Sequence, residues 1–349
     1  MHRPSFKNDY SEGALPEVLA LMAKTNLEGI DGYSTDQYCD RARDMLRAAC
    51  GRPGADVHLI VGGTQCNTIA IAHFLRPHQA VVSADSGHIN THETGAIEAT
   101  GHKVLYAVTE DGKLTPEKIE RIVAEHGGDE HMVQPAMVYV SNTTEVGTLY
   151  NKAELTAISE TCKKLGLYLY LDGARLASAL TSPKCDLTME DIANLTDAFY
   201  VGATKNGGLF GEAMIILNPA LKKDFRFMLK QRGALLAKGW LLGLQFVALF
   251  ENNLWYDVAK HANTLATKLA KGIEALGTKG AALVYEQVSN QVFISLPCDA
   301  AEELSTKYRF EWWGLPENGR RALRLVTNWA TPEERVNAFL ADLDAILSK

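Results

Sequence analysis

Several features that would assign this 349-residue chain to a function class are missing from it. No uncharged apolar run reaches the length of about 18 residues that a membrane-spanning helix needs. The net charge is −7, so no excess of Lys and Arg indicates a nucleic-acid surface. The N-terminal stretch MHRPSFKNDYSEG has no apolar segment of the kind that a secretory signal carries. We therefore expect a cytoplasmic protein.

Recognisable metal and disulfide motifs are missing as well. The cysteines are scattered without a CxxC pair, which suits neither a zinc site nor a disulfide framework. We expect reduced thiols and no bound metal. The six cysteines are Cys39, Cys50, Cys66, Cys162, Cys185 and Cys298.

Strand-like and helical segments alternate between residues 57 and 217. Short apolar runs bounded by glycine are typical of buried strands in a mostly parallel sheet. Alternation on this scale predicts an α/β fold with helices on both faces of the sheet. The predicted strands are 57–62, 80–83, 103–107, 136–141, 167–171, 198–202 and 212–217, and helices are predicted at 16–24, 64–75, 115–126 and 152–165.

The rest of the chain predicts a second, smaller unit. Residues 222–277 form an almost unbroken helical pattern, and strand patterns follow at 283–285, 291–296 and 323–326, before a last helix over 331–347. The length of the chain exceeds one ordinary core, which favours two domains. We assign residues 1–250 to an N-terminal arm and a large domain, and residues 251–349 to a small α+β domain.

An Asp and a Lys follow two of the predicted strands. Asp172 comes directly after the strand 167–171, and Lys205 follows the strand 198–202. Open α/β sheets bind ligands at the carboxyl ends of their strands. A Lys that forms a Schiff base and a carboxylate that keeps a ring nitrogen protonated are the pair that pyridoxal phosphate needs. Either residue alone would more often be an ordinary loop residue.

A turn with two glycines is the candidate phosphate site. The sequence VGGTQCN at 61–67 follows a strand and opens a helix, where free N–H groups and the helix dipole attract an anion. Neither GxGxxG nor GxxxxGK[ST] occurs here, so the turn suits a single phosphate. Gly63, Thr64 and Gln65 are the candidates, and a plain strand-to-helix turn is the alternative.

A histidine and two arginines complete the candidate set. His88 follows the strand 80–83, where its ring could lie flat on a cofactor. With His92 it could share one helix face, but no third metal ligand is evident. Arg175 and Arg324 could bind a substrate carboxylate through paired hydrogen bonds. A solvated strand residue is the alternative for Arg324.

Together these motifs resemble the low-specificity L-threonine aldolases. The resemblance rests on DGAR followed by TKNG, the GGTQxN turn, the segment TTEVGTLY at 143–150 and the late strand sequence RLVT, and it runs from about Phe6 to the C-terminus. It implies a fold-type-I pyridoxal-phosphate enzyme of the β-eliminating lyase group. Such an enzyme would cleave L-threonine or L-allo-threonine to glycine and an aldehyde.

The resemblance also implies roles for the candidate residues that contact the cofactor. Lys205 would be the Schiff-base lysine, Asp172 would partner the pyridine nitrogen and His88 would stack on the ring. The phosphate would be held by Gly63, Thr64 and Thr204. Members of the family assemble as dimers or tetramers with shared sites, so the resemblance implies a homo-oligomer.

The resemblance implies substrate-binding roles for four residues, and the chain departs from the family at two places. Arg175, which belongs to both sites, and Arg324 would bind the carboxylate, and Tyr33 would reach the site near a subunit interface. Many members have Arg-Ser-Asp near the start where this chain reads Lys-Asn-Asp, so Asn8 would replace the Ser as a hydrogen-bond donor.

The second departure concerns the base for the β-hydroxyl proton. Some members carry a His in the loop that here reads Thr144-Glu145, so the identity of this base stays open.

Three other functions stay open as well. They are a β-eliminating lyase, a phenylserine-type aldolase and a non-catalytic binding protein on the same scaffold.

Overall fold

A seven-stranded sheet is the centre of the larger part of the molecule in the computed structural model, which describes residues 3–349. Its strands are β1 (Asp56–Ile60), β2 (Gln79–Ala84), β3 (Val104–Ala107), β4 (Gln134–Ser141), β5 (Tyr168–Asp172), β6 (Ala198–Gly202) and β7 (Glu212–Ile216). The spatial order is β1-β7-β6-β5-β4-β2-β3. Strands β3, β2, β4, β5 and β6 run parallel, and β7 is antiparallel to its neighbours β6 and β1.

Helices cover both faces of this sheet. Alternate residues of a strand point to opposite faces, and in β5 Leu169 and Leu171 enter one apolar cluster while Tyr170 enters the other. The helices of this part are α1 (Pro16–Thr25), α2 (Gln37–Ala49), α3 (Gly63–Phe74), α4 (His88–Thr91), α5 (Pro116–His126), α6 (Lys152–Leu165), α7 (Leu176–Leu180), α8 (Met189–Leu195), α9 (Phe225–Gln231) and α10 (Trp240–Phe250). The predicted α/β class with a mostly parallel sheet is confirmed.

A four-stranded antiparallel sheet forms the smaller part. Its strands are β8 (Ala282–Leu283), β9 (Gln291–Pro297), β10 (Glu311–Glu317) and β11 (Arg320–Val326), in the order β10-β11-β9-β8. The helices α11 (Leu254–Ala275), α12 (Cys298–Lys307) and α13 (Glu333–Leu347) supply the other half of its core. Phe6 of the N-terminal arm is buried in this core, and its N–H donates to the Arg309 carbonyl at 2.7 Å.

The prediction of an almost unbroken helical stretch over 222–277 is wrong, because the stretch is interrupted twice. Three helices occupy it, and residues 232–239 and a turn at Glu251–Asn253 separate them. Gly233 has a φ of +71°, and Asn252 and Asn253 also adopt left-handed backbone, which stops a right-handed helix.

The smaller sheet also differs from the prediction. The strand predicted at 283–285 is only Ala282–Leu283, and β10 was not predicted. Because β10 is largely exposed and contains Gly314 and Pro316, its sequence has no apolar alternation to detect.

None of the helices within residues 3–349 combines the length and the apolar character that crossing a membrane requires.

Candidate active site

The carboxyl ends of β4, β5 and β6 and the N-terminus of α3 surround a cavity of about 300 Å³. Seven of the predicted site residues line this cavity. They are Gly63, Thr64, His88, Asp172, Arg175, Thr204 and Lys205. They meet because parallel strands place all their carboxyl ends at one edge of the sheet.

Asp172 is a buried carboxylate with an unusually complete set of hydrogen-bond donors. It accepts from the hydroxyl groups of Tyr139, at 2.6 Å, and Tyr200, and from the Ala174 N–H at 3.0 Å. Asn67 adds its side-chain amide at 3.2 Å. Burial alone would raise the pKa of Asp172, but His88 and the hydroxyl donors hold that pKa below its ordinary value. The carboxylate therefore stays ionised, as a partner for a protonated ring nitrogen must.

Lys205 lies in a tight turn directly after β6. The N–H groups of Asn206 and Gly208 both donate to the Ala203 carbonyl at 2.9 Å, and Gly207 has a φ of +85°, which favours glycine. Burial and the nearby Arg175 lower the pKa of the Lys205 amine. A lower pKa increases the fraction of neutral amine, which is the form that bonds to an aldehyde.

Glu212, at the start of β7, is a second buried carboxyl in this cavity. Burial raises its pKa to about 8, and the Thr204 side chain and the Lys205 charge act in the opposite direction. The Ala203 N–H donates to it at 3.2 Å. The Glu212 carboxyl therefore lies in the same cavity as the Lys205 amine.

The start of α3 fits a phosphate group. Its N-cap residue, Gly62, provides no side-chain cap, so the first N–H groups of the helix remain available to an anion. A Cβ atom at Gly63 would lie 2.9 Å from the Tyr200 hydroxyl oxygen, so a larger residue here would displace a donor to Asp172. The Gln65 amide instead donates to the Arg232 carbonyl at 3.2 Å and does not line the cavity.

His88 begins α4 and is oriented by a buried glutamate. Its Nδ1 lies 2.8 Å from Glu93 Oε1, which also accepts from the Asn67 amide at 2.7 Å. The His88 and His92 rings are 5.7 Å apart. Within residues 3–349 no group of three or more His, Cys, Asp or Glu side chains could hold a metal ion.

Arg175 is paired with an aspartate from the N-terminal arm. Its Nε and Nη2 donate to the two Asp9 oxygens at 2.7 and 3.0 Å, and Asn290 donates to Asp9 at 3.0 Å. Burial would raise the pKa of Asp9, but Arg175, Lys205 and Asn290 lower it to about 2. The Arg175 guanidinium is therefore held in place before any substrate binds.

Arg324 lines an adjoining cavity of about 410 Å³, which Arg175 and Lys205 also line. Its guanidinium carbon lies 6.0 Å from the centre of the Trp313 ring. The buried Nε atom of Arg324 has no hydrogen-bond partner among residues 3–349. Burial and the charge of Arg175 lower its pKa. Two neighbouring guanidinium groups with spare donors form a strong site for a carboxylate.

Asn8 and Tyr33 are not brought to either cavity within this chain. The Asn8 side-chain oxygen accepts from the Tyr10 N–H at 3.1 Å and from the Ser11 hydroxyl at 2.7 Å. Tyr33 lines a separate surface hollow beside Phe227, and its ring centre lies 4.5 Å from Lys230 Nζ. Their predicted roles in substrate binding stay predictions.

Several groups at the site were missed from the sequence. Tyr139 and Tyr200 lie inside strands, where an aromatic residue looks like ordinary core. Asp9 is 166 positions from its partner Arg175, so no local pattern connects them. Glu212 offered a signal, because a charged residue rarely occupies a fully buried strand without a reason.

Comparisons with known proteins agree with this geometry. The family model of the Beta-eliminating lyase family matches residues 7–296. A low specificity L-threonine aldolase of Pseudomonas aeruginosa is 34% identical over 348 residues, which cover 99% of both chains. A solved structure of Leishmania major threonine aldolase is 50% identical, with a TM-score of 0.96 and 99% of each chain covered. An aspartate aminotransferase of Thermus thermophilus, 15% identical with a TM-score of 0.71, covers 99% of this chain and 91% of its own and shares the fold.

Proposed function

The chain belongs to the beta-eliminating lyase family and has the fold-type-I architecture of pyridoxal-phosphate enzymes, and we propose that it cleaves β-hydroxy-α-amino acids. L-threonine and L-allo-threonine are the proposed substrates, and glycine and an aldehyde are the products. The observation that carries this proposal is that Lys205 and an ionised Asp172 line one cavity, and that Arg324 lines the cavity next to it. The whole-length similarity to threonine aldolases supports it.

Pyridoxal phosphate fits the residues that are present. The uncapped start of α3 suits its phosphate, through Gly63 and Thr64, with Thr204 beside them. We assign Asp172 to the ring nitrogen and Lys205 to the covalent attachment. When bound, the cofactor supplies a ring that delocalises the electron pair of the broken bond.

The remaining side chains bind and orient the substrate. Arg175 and Arg324 hold the carboxylate, which decides which bond at the α-carbon is turned toward cleavage. We assign His88 to the face of the cofactor ring, because its contact with Glu93 fixes the imidazole at the cavity wall. Asp172 stays ionised to stabilise a protonated ring nitrogen, since two of its donors, the Tyr139 and Tyr200 hydroxyls, are carried by strands.

One assay tests this function directly. The protein is mixed with pyridoxal phosphate and L-threonine, and glycine and aldehyde are measured against a 2-oxo acid and ammonia. Glycine and aldehyde in equal amounts are expected. A 2-oxo acid with ammonia would instead indicate a β-eliminating lyase, and benzaldehyde from L-phenylserine alone would indicate a phenylserine-type aldolase. A protein that takes up no cofactor would be a binding protein only.

We further propose a homodimer or homotetramer with shared sites, in the cytoplasm. Tyr33 is 44% exposed and Phe227 is 76% exposed, and both line a hollow outside the two cavities, which suits a surface covered by a second copy. The free thiol state of all six cysteines suits a reducing compartment. Light scattering should give two or four chains. A monomer that shows full activity would contradict the shared sites.

A further inference from the structure

The cofactor cavity and the arginine cavity meet at a small set of side chains. Five residues line both of them: Tyr10, His88, Glu145, Arg175 and Lys205. A substrate whose carboxylate is bound by the arginines and whose amine reaches Lys205 must pass beside this set. The group that accepts the β-hydroxyl proton is therefore expected among these residues.

Glu145 is the carboxylate of this set, and one of its two oxygens is free. Its Oε1 accepts from the His88 N–H at 2.9 Å and from the Ser141 hydroxyl at 2.7 Å. Its Oε2 accepts no hydrogen bond from any other residue of 3–349. One oxygen thus anchors the carboxylate, and the other is available to a ligand at the junction of the cavities.

The loop that carries Glu145 is held by its own hydrogen bonds. The Thr144 N–H donates to the Thr148 carbonyl at 3.0 Å, and the two threonine hydroxyls lie 2.7 Å apart. The Thr148 hydroxyl also donates to the Asp111 carbonyl at 2.7 Å. The carboxylate is therefore fixed in position before a substrate binds, as a catalytic group must be.

Each of the other four shared residues has another assigned role, cannot accept a proton or is not fixed in position. His88, whose Nδ1 lies against Glu93, is assigned to the face of the cofactor ring, and Lys205 is assigned to the covalent attachment. Arg175 is paired with Asp9, and a guanidinium has no proton acceptor. Tyr10 is 55% exposed, and no hydrogen bond within residues 3–349 fixes its hydroxyl. Burial raises the pKa of Glu145, which makes its carboxylate a stronger base.

We propose that Glu145 is the catalytic base that removes the β-hydroxyl proton of the substrate, through Oε2. The proposal rests on the proposed function. The hydroxyl proton passes to Glu145, the oxygen forms the carbonyl of the aldehyde, and the electron pair of the Cα–Cβ bond remains on the glycine fragment. A proton added at Cα completes glycine, so no oxidant or reductant is needed.

Replacing Glu145 with Gln keeps the shape of the side chain and removes the base. Threonine cleavage should fall by about 10²- to 10⁴-fold. Exchange of the glycine α-hydrogen in D₂O, followed by proton NMR, should stay within a few-fold of wild type, because glycine has no β-hydroxyl. The absorption spectrum of the bound cofactor should also be unchanged. The same substitution at the exposed Glu110 should leave cleavage and exchange unaltered.

Equal loss of cleavage and exchange in Glu145→Gln would overturn the proposal, and so would unimpaired cleavage. If Gln disturbs the fold, which loss of the cofactor spectrum would reveal, Glu145→Asp decides the question. Cleavage reduced relative to exchange supports the base, and parallel reduction contradicts it. Wild-type protein that exchanges glycine but does not cleave threonine would instead refute the proposed function itself.

Discussion

At the scale of single residues, the site combines an ionised carboxylate with an amine whose pKa is lowered. Burial opposes the charge of Asp172, but His88 and the donors Tyr139, Tyr200 and the Ala174 N–H lower its pKa, so it stays charged. The pKa of Lys205 is lowered as well, by burial and by Arg175, but for an amine a lower pKa favours the neutral form. In one cavity, the same direction of shift leaves the acid charged and favours the neutral amine. These states match the two tasks of stabilising a protonated ring nitrogen and forming a covalent bond.

Asp172→Asn tests the carboxylate. The amide is similar in shape but cannot carry the charge that stabilises a protonated ring nitrogen. We expect cofactor binding to persist and turnover of threonine to fall by orders of magnitude. Tyr139→Phe, which removes one of the donors and leaves the charge, should lower turnover much less. Steady-state rates and cofactor titrations measure both, and near wild-type turnover in Asp172→Asn would rule out the assigned role.

Arg324→Lys tests the carboxylate site. Lysine keeps the positive charge but loses the planar fork that pairs with two oxygens. A lost hydrogen bond to a charged group costs about 1.5–3 kcal/mol, so KM for threonine should rise about 10- to 100-fold. The absorption of the bound cofactor should not change. Unaltered kinetics would show that Arg324 is an ordinary strand residue.

At the scale of elements, the ends of β5 and β6 and the start of α3 were predictable, and their contacts to distant segments were not. Apolar runs that end at Asp172 and before Lys205 gave both positions from local sequence. The N-terminal arm contributes Asp9 through an ion pair with Arg175, which depends on tertiary packing. The break in the predicted 222–277 helix depends on Asn252 and Asn253, since asparagine occurs in both helices and left-handed turns.

Gly63→Ala tests the phosphate site at the start of α3. The added methyl would lie 2.9 Å from the Tyr200 hydroxyl oxygen, which must stay in place to donate to Asp172. We expect the affinity for pyridoxal phosphate to fall at least tenfold, or about 1.4 kcal/mol. The affinity for pyridoxal, which lacks the phosphate, should fall less. Gly29→Ala is the matched control, because its Cβ would meet open space. An equal loss for both ligands would place the phosphate elsewhere.

At the scale of the whole molecule, two sheets with separate cores support a division into two domains. We propose residues 1–250 as the arm and large domain and residues 251–349 as the small domain. The turn Glu251–Asn253 separates α10 from α11 at this boundary. The arm crosses the division, since Phe6 packs in the core of the small part. Arg324 belongs to the small part and Lys205 to the large one, so the site depends on both.

The account depends above all on Lys205 as the covalent attachment of the cofactor. Wild-type protein loaded with pyridoxal phosphate is reduced with borohydride, digested and analysed by peptide mass mapping. We predict the pyridoxyl group on the peptide that contains Lys205, and no such modification in Lys205→Ala, which should also show negligible threonine cleavage. A pyridoxyl group found on any other lysine of the wild-type protein would contradict the assignment of the site.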